Sequence, residues 1–100
     1  MYLKAIRNGG AASRCLELYA PRLLKGDVMP GFLVKHFVKD LGIALDVAKS
    51  VNLSLPGLAL ANQLYIALMG YDEGELGTQA LIKCLARLSR VEDGPWMSKI

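Results

Sequence analysis

The stretch that decides the fold of this chain is PGFLVKHFVKDLGIALDVAKS, residues 30–50. Its apolar side chains recur at i, i+4, i+7, i+11 and i+14, a spacing that places them on one side of an α-helix. These residues are Val34, Val38, Leu41, Leu45 and Ala48. The opposite side carries Lys35, Lys39, Gly42, Asp46 and Lys49. The pattern predicts a helix that ends near Ser50 and packs one side against a hydrophobic core.

The polar side of this helix has two interpretations. Charged residues at this spacing are ordinary on a solvated helix surface. They are also typical of a ligand-binding edge, because Lys39 offers a charged donor to a phosphate, hydroxyl or carboxylate. Gly42, one turn later, leaves the backbone uncovered for a close approach. The pattern alone does not choose between the two.

Length and composition limit the class of protein. A chain of 100 residues with 53% hydrophobic and 21% charged residues is one domain at most. The net charge of +3 is mild and no run of lysines or arginines follows a phosphate backbone, so no nucleic-acid partner is expected. The apolar stretch 53–69 is interrupted by polar residues, proline and glycine, which favours a core helix over a membrane span. Residues 1–7 lack a signal sequence, so we expect a cytoplasmic location.

Further helices are predicted on both sides of the central one, and no β-strand is predicted. They span Tyr2 to Asn8, Ala12 to Ala20, Pro56 to Gly70 and Thr78 to Arg90. Pro21 ends or kinks the second, with a possible further turn over residues 22–24. The helix from Pro56 is apolar on more than one side, so we expect it to be the most buried element, with Asn62 and Gln63 in need of partners. Residues 92–100 are expected to form a mobile tail.

The last helix is expected to carry one apolar stripe. Its stripe is Ala80, Leu81, Cys84, Leu85 and Leu88, and Thr78 is well placed to cap it. Lys83, Arg87 and Arg90 lie toward the carboxy-terminal half, where cations complement the helix dipole. Cys15 and Cys84 stand at apolar helical positions without metal-ligand spacing, so both are predicted to be reduced core thiols, and no metal site is expected.

Several motifs together carry a family resemblance that extends from about Leu3 to Leu88. They include Gly10-Ala11-Ala12-Ser13, Ala20-Pro21-Arg22-Leu23-Leu24-Lys25-Gly26-Asp27, Pro30-Gly31-Phe32, Lys35-His36, Lys39-Asp40-Leu41, Leu55-Pro56 and Leu64-Tyr65. In this order and spacing they resemble the carboxy-terminal domain of the β-hydroxyacid dehydrogenases. That family includes the hydroxyisobutyrate dehydrogenases, the tartronate semialdehyde reductases and, more distantly, 6-phosphogluconate dehydrogenase.

The resemblance implies an all-α fold of about five helices, the carboxy-terminal half of a two-domain dehydrogenase. Such a domain follows a Rossmann domain and closes over the nicotinamide end of NAD or NADP, and the substrate is a small β-hydroxyacid or its semialdehyde. Lys39 matches the family lysine that reaches the cofactor near the nicotinamide ribose, and Asp40 matches the acid beside it. Phe32 matches an aromatic residue that lines the substrate and nicotinamide pocket.

No catalytic residue is assigned to this chain. The glycine-rich phosphate-binding motif is absent from the sequence, and the family's catalytic lysine lies in an upstream context that neither Lys4 nor Asn8 reproduces. His36 is interpreted as a surface or helix-capping residue, because no nucleophile or metal ligand is near it in the sequence. Relatives often place an aspartate cap near Gly77-Thr78, and this chain does not.

Two functions therefore stay open. The chain is either the cofactor-closing part of an NAD(P)-dependent oxidoreductase, or a non-catalytic helical dimerisation module from a truncated or excised dehydrogenase. A homodimer is expected in both cases, because so small a domain with an apolar helix at residues 56–69 cannot cover every apolar face itself. The sequence leaves open which hydroxyacid is used and whether the cofactor is NAD or NADP.

Overall fold

The computed structural model describes residues 2–91 as a bundle of five α-helices. The helices are α1 (Tyr2–Arg7), α2 (Arg14–Leu24), α3 (Val34–Ser50), α4 (Pro56–Gly70) and α5 (Leu81–Leu88), and a 3₁₀ turn (Thr78–Ala80) precedes α5. Over residues 2–91, β-type pairing is limited to one bridge between Leu33 and Gly77. The all-α class predicted from the sequence is confirmed. None of the helices in this range has the length and hydropathy needed to cross a membrane.

α3 packs along α4 in the bundle. Its apolar stripe faces inward, since Val34, Leu41 and Ala48 are buried. Val34 and Leu41 join Tyr65 and Leu68 of α4, and Cys84 of α5, in one hydrophobic core. The charged residues of the opposite side are all exposed. The amphipathic pattern therefore gives both the position and the rotation of this helix correctly.

α2 continues through Pro21 and includes the predicted further turn over residues 22–24, so the helix does not end at the proline. Pro21 removes one backbone donor from the helix. The following turn is held from outside, because the Arg22 guanidinium donates to the Asp27 carboxylate at 3.0 Å and to the Met29 carbonyl at 2.6 Å. These contacts compensate for the lost bond and extend the helix to Leu24.

α4 begins and ends where the sequence predicts, but it is not the most buried element. Tyr65 and Leu68 are its buried residues, while Leu60 is 62% exposed and Ile66 is 41% exposed. Only α3 and α5 pack on it among the described helices, so a helix that is apolar on most sides lacks neighbours on the others. The Oδ1 atom of Asn62 is buried and has no hydrogen-bond partner among residues 2–91.

The apolar stripe predicted for α5 is only partly correct. Ala80 and Cys84 are buried, whereas Leu85 and Leu88 are 41% and 69% exposed. Lys83 is completely buried and pairs with an acidic residue of another segment, as described below. Thr78 is the first residue of the 3₁₀ turn and does not act as its cap. The cap position is occupied by Gly77, which has no side chain that could accept a hydrogen bond.

The two cysteines differ from each other. Cys84 is buried in the core as predicted, whereas Cys15 is exposed, so the prediction of two core thiols is wrong for Cys15. That side of α2 borders an open groove instead of a packed neighbour. The predicted tail over residues 92–100 lies outside the described residues.

Candidate functional site

The amino end of α3 is capped by backbone from a distant part of the chain. Leu33, at the cap position, makes no side-chain hydrogen bond. The first free amides of the helix donate elsewhere, Val34 to the Leu76 carbonyl and Lys35 to the Gly74 carbonyl, both at 2.9 Å. A helix needs partners for its first amides, and residues 71–77, the acidic loop, supply them. The acidic loop therefore fixes where α3 begins.

Lys39 and Asp40 lie next to each other on the exposed side of α3. Neither side chain takes part in an ion pair within residues 2–91. A Cβ added to Gly42, one turn after Lys39, would meet nothing within 4 Å. The structure therefore presents an unpaired cation beside open backbone, which is the arrangement that the ligand-binding interpretation requires.

Phe32 is the outermost ring of an aromatic series. Its ring packs edge-to-face on Phe37, with centroids 5.9 Å apart, and Phe37 packs in the same way on Tyr65 at 4.9 Å. The Tyr65 hydroxyl donates to the Thr78 carbonyl at 2.9 Å, and burial raises the pKa of Tyr65 above its usual value. Phe32 itself is 40% exposed, so its inner edge is supported while its outer surface is free for contact.

Hydrogen bonds hold the loop that carries Phe32. The Thr78 amide donates to the Phe32 carbonyl at 3.0 Å, and the Gln79 side chain donates to the Met29 carbonyl at 2.8 Å. Asp27 accepts from the Met29 amide and from Arg22, and these bonds, the backbone one first, lower the pKa of Asp27. The residues before Phe32 have no regular secondary structure, so these contacts set the position of its ring.

Phe32 also borders an apolar groove of about 650 Å³ between α2 and α5. The groove is lined by Ser13, Cys15, Leu16, Tyr19, Ala20, Leu23, Phe32, Phe37, Tyr65, Thr78, Gln79, Leu81, Ile82 and Leu85. Lys39 and Asp40 do not line it. Phe32 precedes α3, and Lys39 lies five residues after the first helical residue, Val34, a rise of roughly 8 Å at about 1.5 Å per helical residue. The structure thus places the aromatic and the charged candidates at neighbouring but distinct parts of the surface.

A buried ionic cluster was missed by sequence reasoning. The Glu73 carboxylate accepts two hydrogen bonds from the Arg87 guanidinium, at 2.7 and 2.6 Å, and the Lys83 ammonium lies 3.8 Å from it. We call these three residues the Glu73 cluster. Glu73 is 3% exposed and Lys83 is fully buried. A signal existed, since Lys83 and Arg87 stand at i and i+4 after an acidic loop, but it does not identify which acid turns inward.

His36 is exposed on α3 and takes no part in this cluster. Within residues 2–91, no group of three or more histidine, cysteine, aspartate or glutamate residues is close enough to hold a metal ion. The interpretation of His36 as a surface residue fits this placement.

Comparison with known proteins identifies a family and several relatives that this chain resembles in sequence. Residues 1–85 match the family described as NAD-binding of NADP-dependent 3-hydroxyisobutyrate dehydrogenase. The chain is 54% identical over 90 residues, 90% of its length, to the "Probable 3-hydroxyisobutyrate dehydrogenase-like 1, mitochondrial" of Arabidopsis thaliana. It is 34% identical over 82 residues, 82% of its length, to the 2-hydroxy-3-oxopropionate reductase of Escherichia coli. It spans 27% and 28% of the length of these two relatives.

Proposed function

Because this chain belongs to the family of 3-hydroxyisobutyrate dehydrogenase-like proteins, we propose that it is the cofactor-closing domain of an NAD(P)-dependent oxidoreductase. The substrate that we propose is a small β-hydroxyacid or its semialdehyde. The observation that carries the proposal is the exposed pair Lys39 and Asp40, free of ion pairs within residues 2–91 and beside the open backbone of Gly42. That opening leaves room for a ribose or phosphate to approach the helix.

Each proposed site residue has a defined task. Lys39 donates a charge-assisted hydrogen bond to a cofactor hydroxyl or phosphate, and Asp40 accepts from a hydroxyl beside it. Phe32 offers a supported aromatic surface to the nicotinamide ring or to the substrate, and it excludes water there. The residues present fit a dinucleotide, since they combine a free cation with an exposed ring. The cofactor, when bound, accepts or supplies the hydride.

The proton that accompanies hydride transfer needs a group that this chain does not supply. We propose that the catalytic lysine and the phosphate-binding motif belong to a Rossmann domain elsewhere in the intact enzyme, since the relatives are much longer than this chain. The 100-residue chain is therefore expected to show no turnover of hydroxyisobutyrate or glycerate with NAD(P). Absorbance at the reduced-nicotinamide band measures this, and turnover above a blank would contradict the assignment.

A second function, a helical dimerisation module without catalysis, is favoured by the exposed apolar side of α4. Leu60 and Ile66 project from it largely uncovered, and an apolar surface of this kind in a small domain favours a partner chain. We propose a homodimer in either case. Light scattering over a dilution series tests it, and a constant mass near 10.9 kDa would rule the dimer out.

The two functions differ in their response to cofactor. If the chain is an oxidoreductase domain, the amide resonances of Lys39 and Asp40 should shift when NADH or NADPH is added. If it is a dimerisation module, they should stay unchanged.

The location of the protein remains a prediction from the sequence, and the Arabidopsis relative is named as mitochondrial.

A further inference from the structure

We propose that the Glu73 cluster is a positioning device, which fixes the acidic loop over the amino end of α3 and thereby holds Lys39 in place for its ligand. The part of this inference that concerns a ligand rests on the function proposed above. The part that concerns α3 does not.

The first step is the anchoring of Glu73 itself. Arg87 meets its carboxylate with two parallel hydrogen bonds, the geometry that gives the strongest pairing between these groups. The Arg87 guanidinium also lies 3.9 Å from the centre of the Tyr71 ring. These contacts tie both the first part of the acidic loop and its buried acid to α5. Because Glu73 is withdrawn from water, releasing it would break a buried, charge-assisted pair with Arg87.

The second step is the attachment of the acidic loop to α3. Directly after Glu73, the Gly74 carbonyl accepts from the Lys35 amide, and the Leu76 carbonyl accepts from the Val34 amide. The loop backbone lies close to α3 and α4 at this point. A Cβ on Gly74 would stand 2.8 Å from the Met69 sulfur and 3.3 Å from the Lys35 Cβ. Movement of Glu73 therefore removes the cap of α3.

The third step runs along α3. In an α-helix the amide of residue i donates to the carbonyl of residue i−4, so the Lys39 backbone is bonded to the turn that begins at Lys35. When the capping carbonyls move away, the first turn of α3 frays, and the backbone of Lys39 is no longer held in one position. Lys39 does not touch the Glu73 cluster, so the cluster acts on it only through the loop and the helix.

A merely structural role and a positioning role predict different results. If the Glu73 cluster only adds to global stability, its loss raises the opening of all helices together. If it positions α3, the amides of Val34 and Lys35 open first, because their acceptors are the carbonyls that the cluster holds. The local difference between the first turn and the rest of the bundle is the readout that separates these roles.

The test is amide hydrogen exchange by NMR on the 100-residue chain. For each amide, the exchange rate in Glu73→Gln is divided by the rate in the unmodified chain. This ratio should be about tenfold larger for Val34 and Lys35 than for Leu45 and Leu64. Glu75→Gln is the matched control, since Glu75 lies on the same loop and pairs with Lys35 at the exposed surface. It should change the ratio by less than about twofold.

A second variant covers the case in which Glu73→Gln does not fold. Arg87→Lys keeps every charge of the cluster but removes the two-pronged hydrogen bond, so it should fold and still speed exchange at Val34 and Lys35 selectively. A uniform change over α3 and α4, or no change, in the folded variant overturns the proposal. Addition of NADH to the unmodified chain is read separately: unshifted Lys39 resonances would count against the proposed function, while the exchange result still decides the positioning role.

Discussion

α3 and α5 carry similar patterns and place their cations in opposite environments. Both have an apolar stripe beside lysines or arginines, a pattern that is ordinarily typical of exposed charges. On α3 that is the case, and Lys39 is exposed. On α5, Lys83 is fully buried, whereas Leu85 and Leu88 are exposed. A buried acid from another segment pairs with the cations of α5, so the pattern of a helix does not determine the environment of its charges.

The largest effect is expected from removing the acid that distinguishes the two helices. Glu73→Gln should lower the free energy of unfolding by ~3–5 kcal/mol, because it removes the charge of a buried carboxylate that pairs with Arg87 and lies 3.8 Å from the Lys83 ammonium. Urea denaturation followed by circular dichroism measures this. Asp46→Asn on the exposed side of α3 is the control and should stay within about 0.5 kcal/mol. Equal effects of the two substitutions would contradict the comparison.

Truncation of one lysine on each helix gives an intermediate effect. Lys83→Ala removes a fully buried side chain and should destabilise the chain by about 1–3 kcal/mol. Lys39→Ala removes an exposed one and should change stability by less than about 0.5 kcal/mol. Thermal unfolding of the two variants, measured side by side, tests this. If Lys39→Ala destabilised the chain as much as Lys83→Ala, the polar side of α3 would be packed against other residues instead of exposed to solvent.

The smallest effect concerns pH. Burial lowers the pKa of Lys83, while Glu73 opposes this and Arg87 adds to it. A cation whose pKa is lower in the folded state opposes folding as long as it stays charged, and this penalty disappears as the pH rises toward the unfolded value of 10.5. The stability of the unmodified chain relative to Lys83→Met should therefore rise with pH on the alkaline side. Urea denaturation midpoints of both proteins, measured from neutral to alkaline pH, test this. If the stability of the unmodified chain relative to Lys83→Met fell as the pH rose, the prediction would be wrong.

The parts of the fold that sequence predicts are those decided locally. The apolar spacing of α3 gives its buried side and its end, and the proline at the start of α4 gives the point where that helix begins, because each signal acts within a few turns. Pro21 leaves the end of α2 open in the sequence, because the turn after it is supported by contacts from Arg22 to a later loop. The burial of α4 was overestimated, because hydrophobicity shows that a helix needs neighbours without showing whether this chain contains them.

The candidate site also contains residues that the sequence predicts and residues that only the structure reveals. Phe32, Lys39 and Asp40 follow from motifs that resemble a family, and the structure adds their exposure and the open backbone at Gly42. The Glu73 cluster joins residues that are 10 and 14 positions apart across a turn, at 3.8 and 2.6 Å. No periodic pattern links them, and only the folded path of the acidic loop selects Glu73 over its acidic neighbours.

The central claim is that the exposed cation of α3 binds a dinucleotide, and one binding measurement tests it. A hybrid in which this chain replaces the matched 90 residues of the Arabidopsis relative provides the rest of a longer protein. Reduced-nicotinamide fluorescence then gives Kd for NADH and NADPH. Lys39→Ala should weaken binding of the preferred cofactor by ~1.5–3 kcal/mol, or about 10- to 150-fold, whereas Lys49→Ala on the same polar side should leave it unchanged. Unaltered binding by the Lys39→Ala hybrid would show that this side of α3 is only a solvated surface.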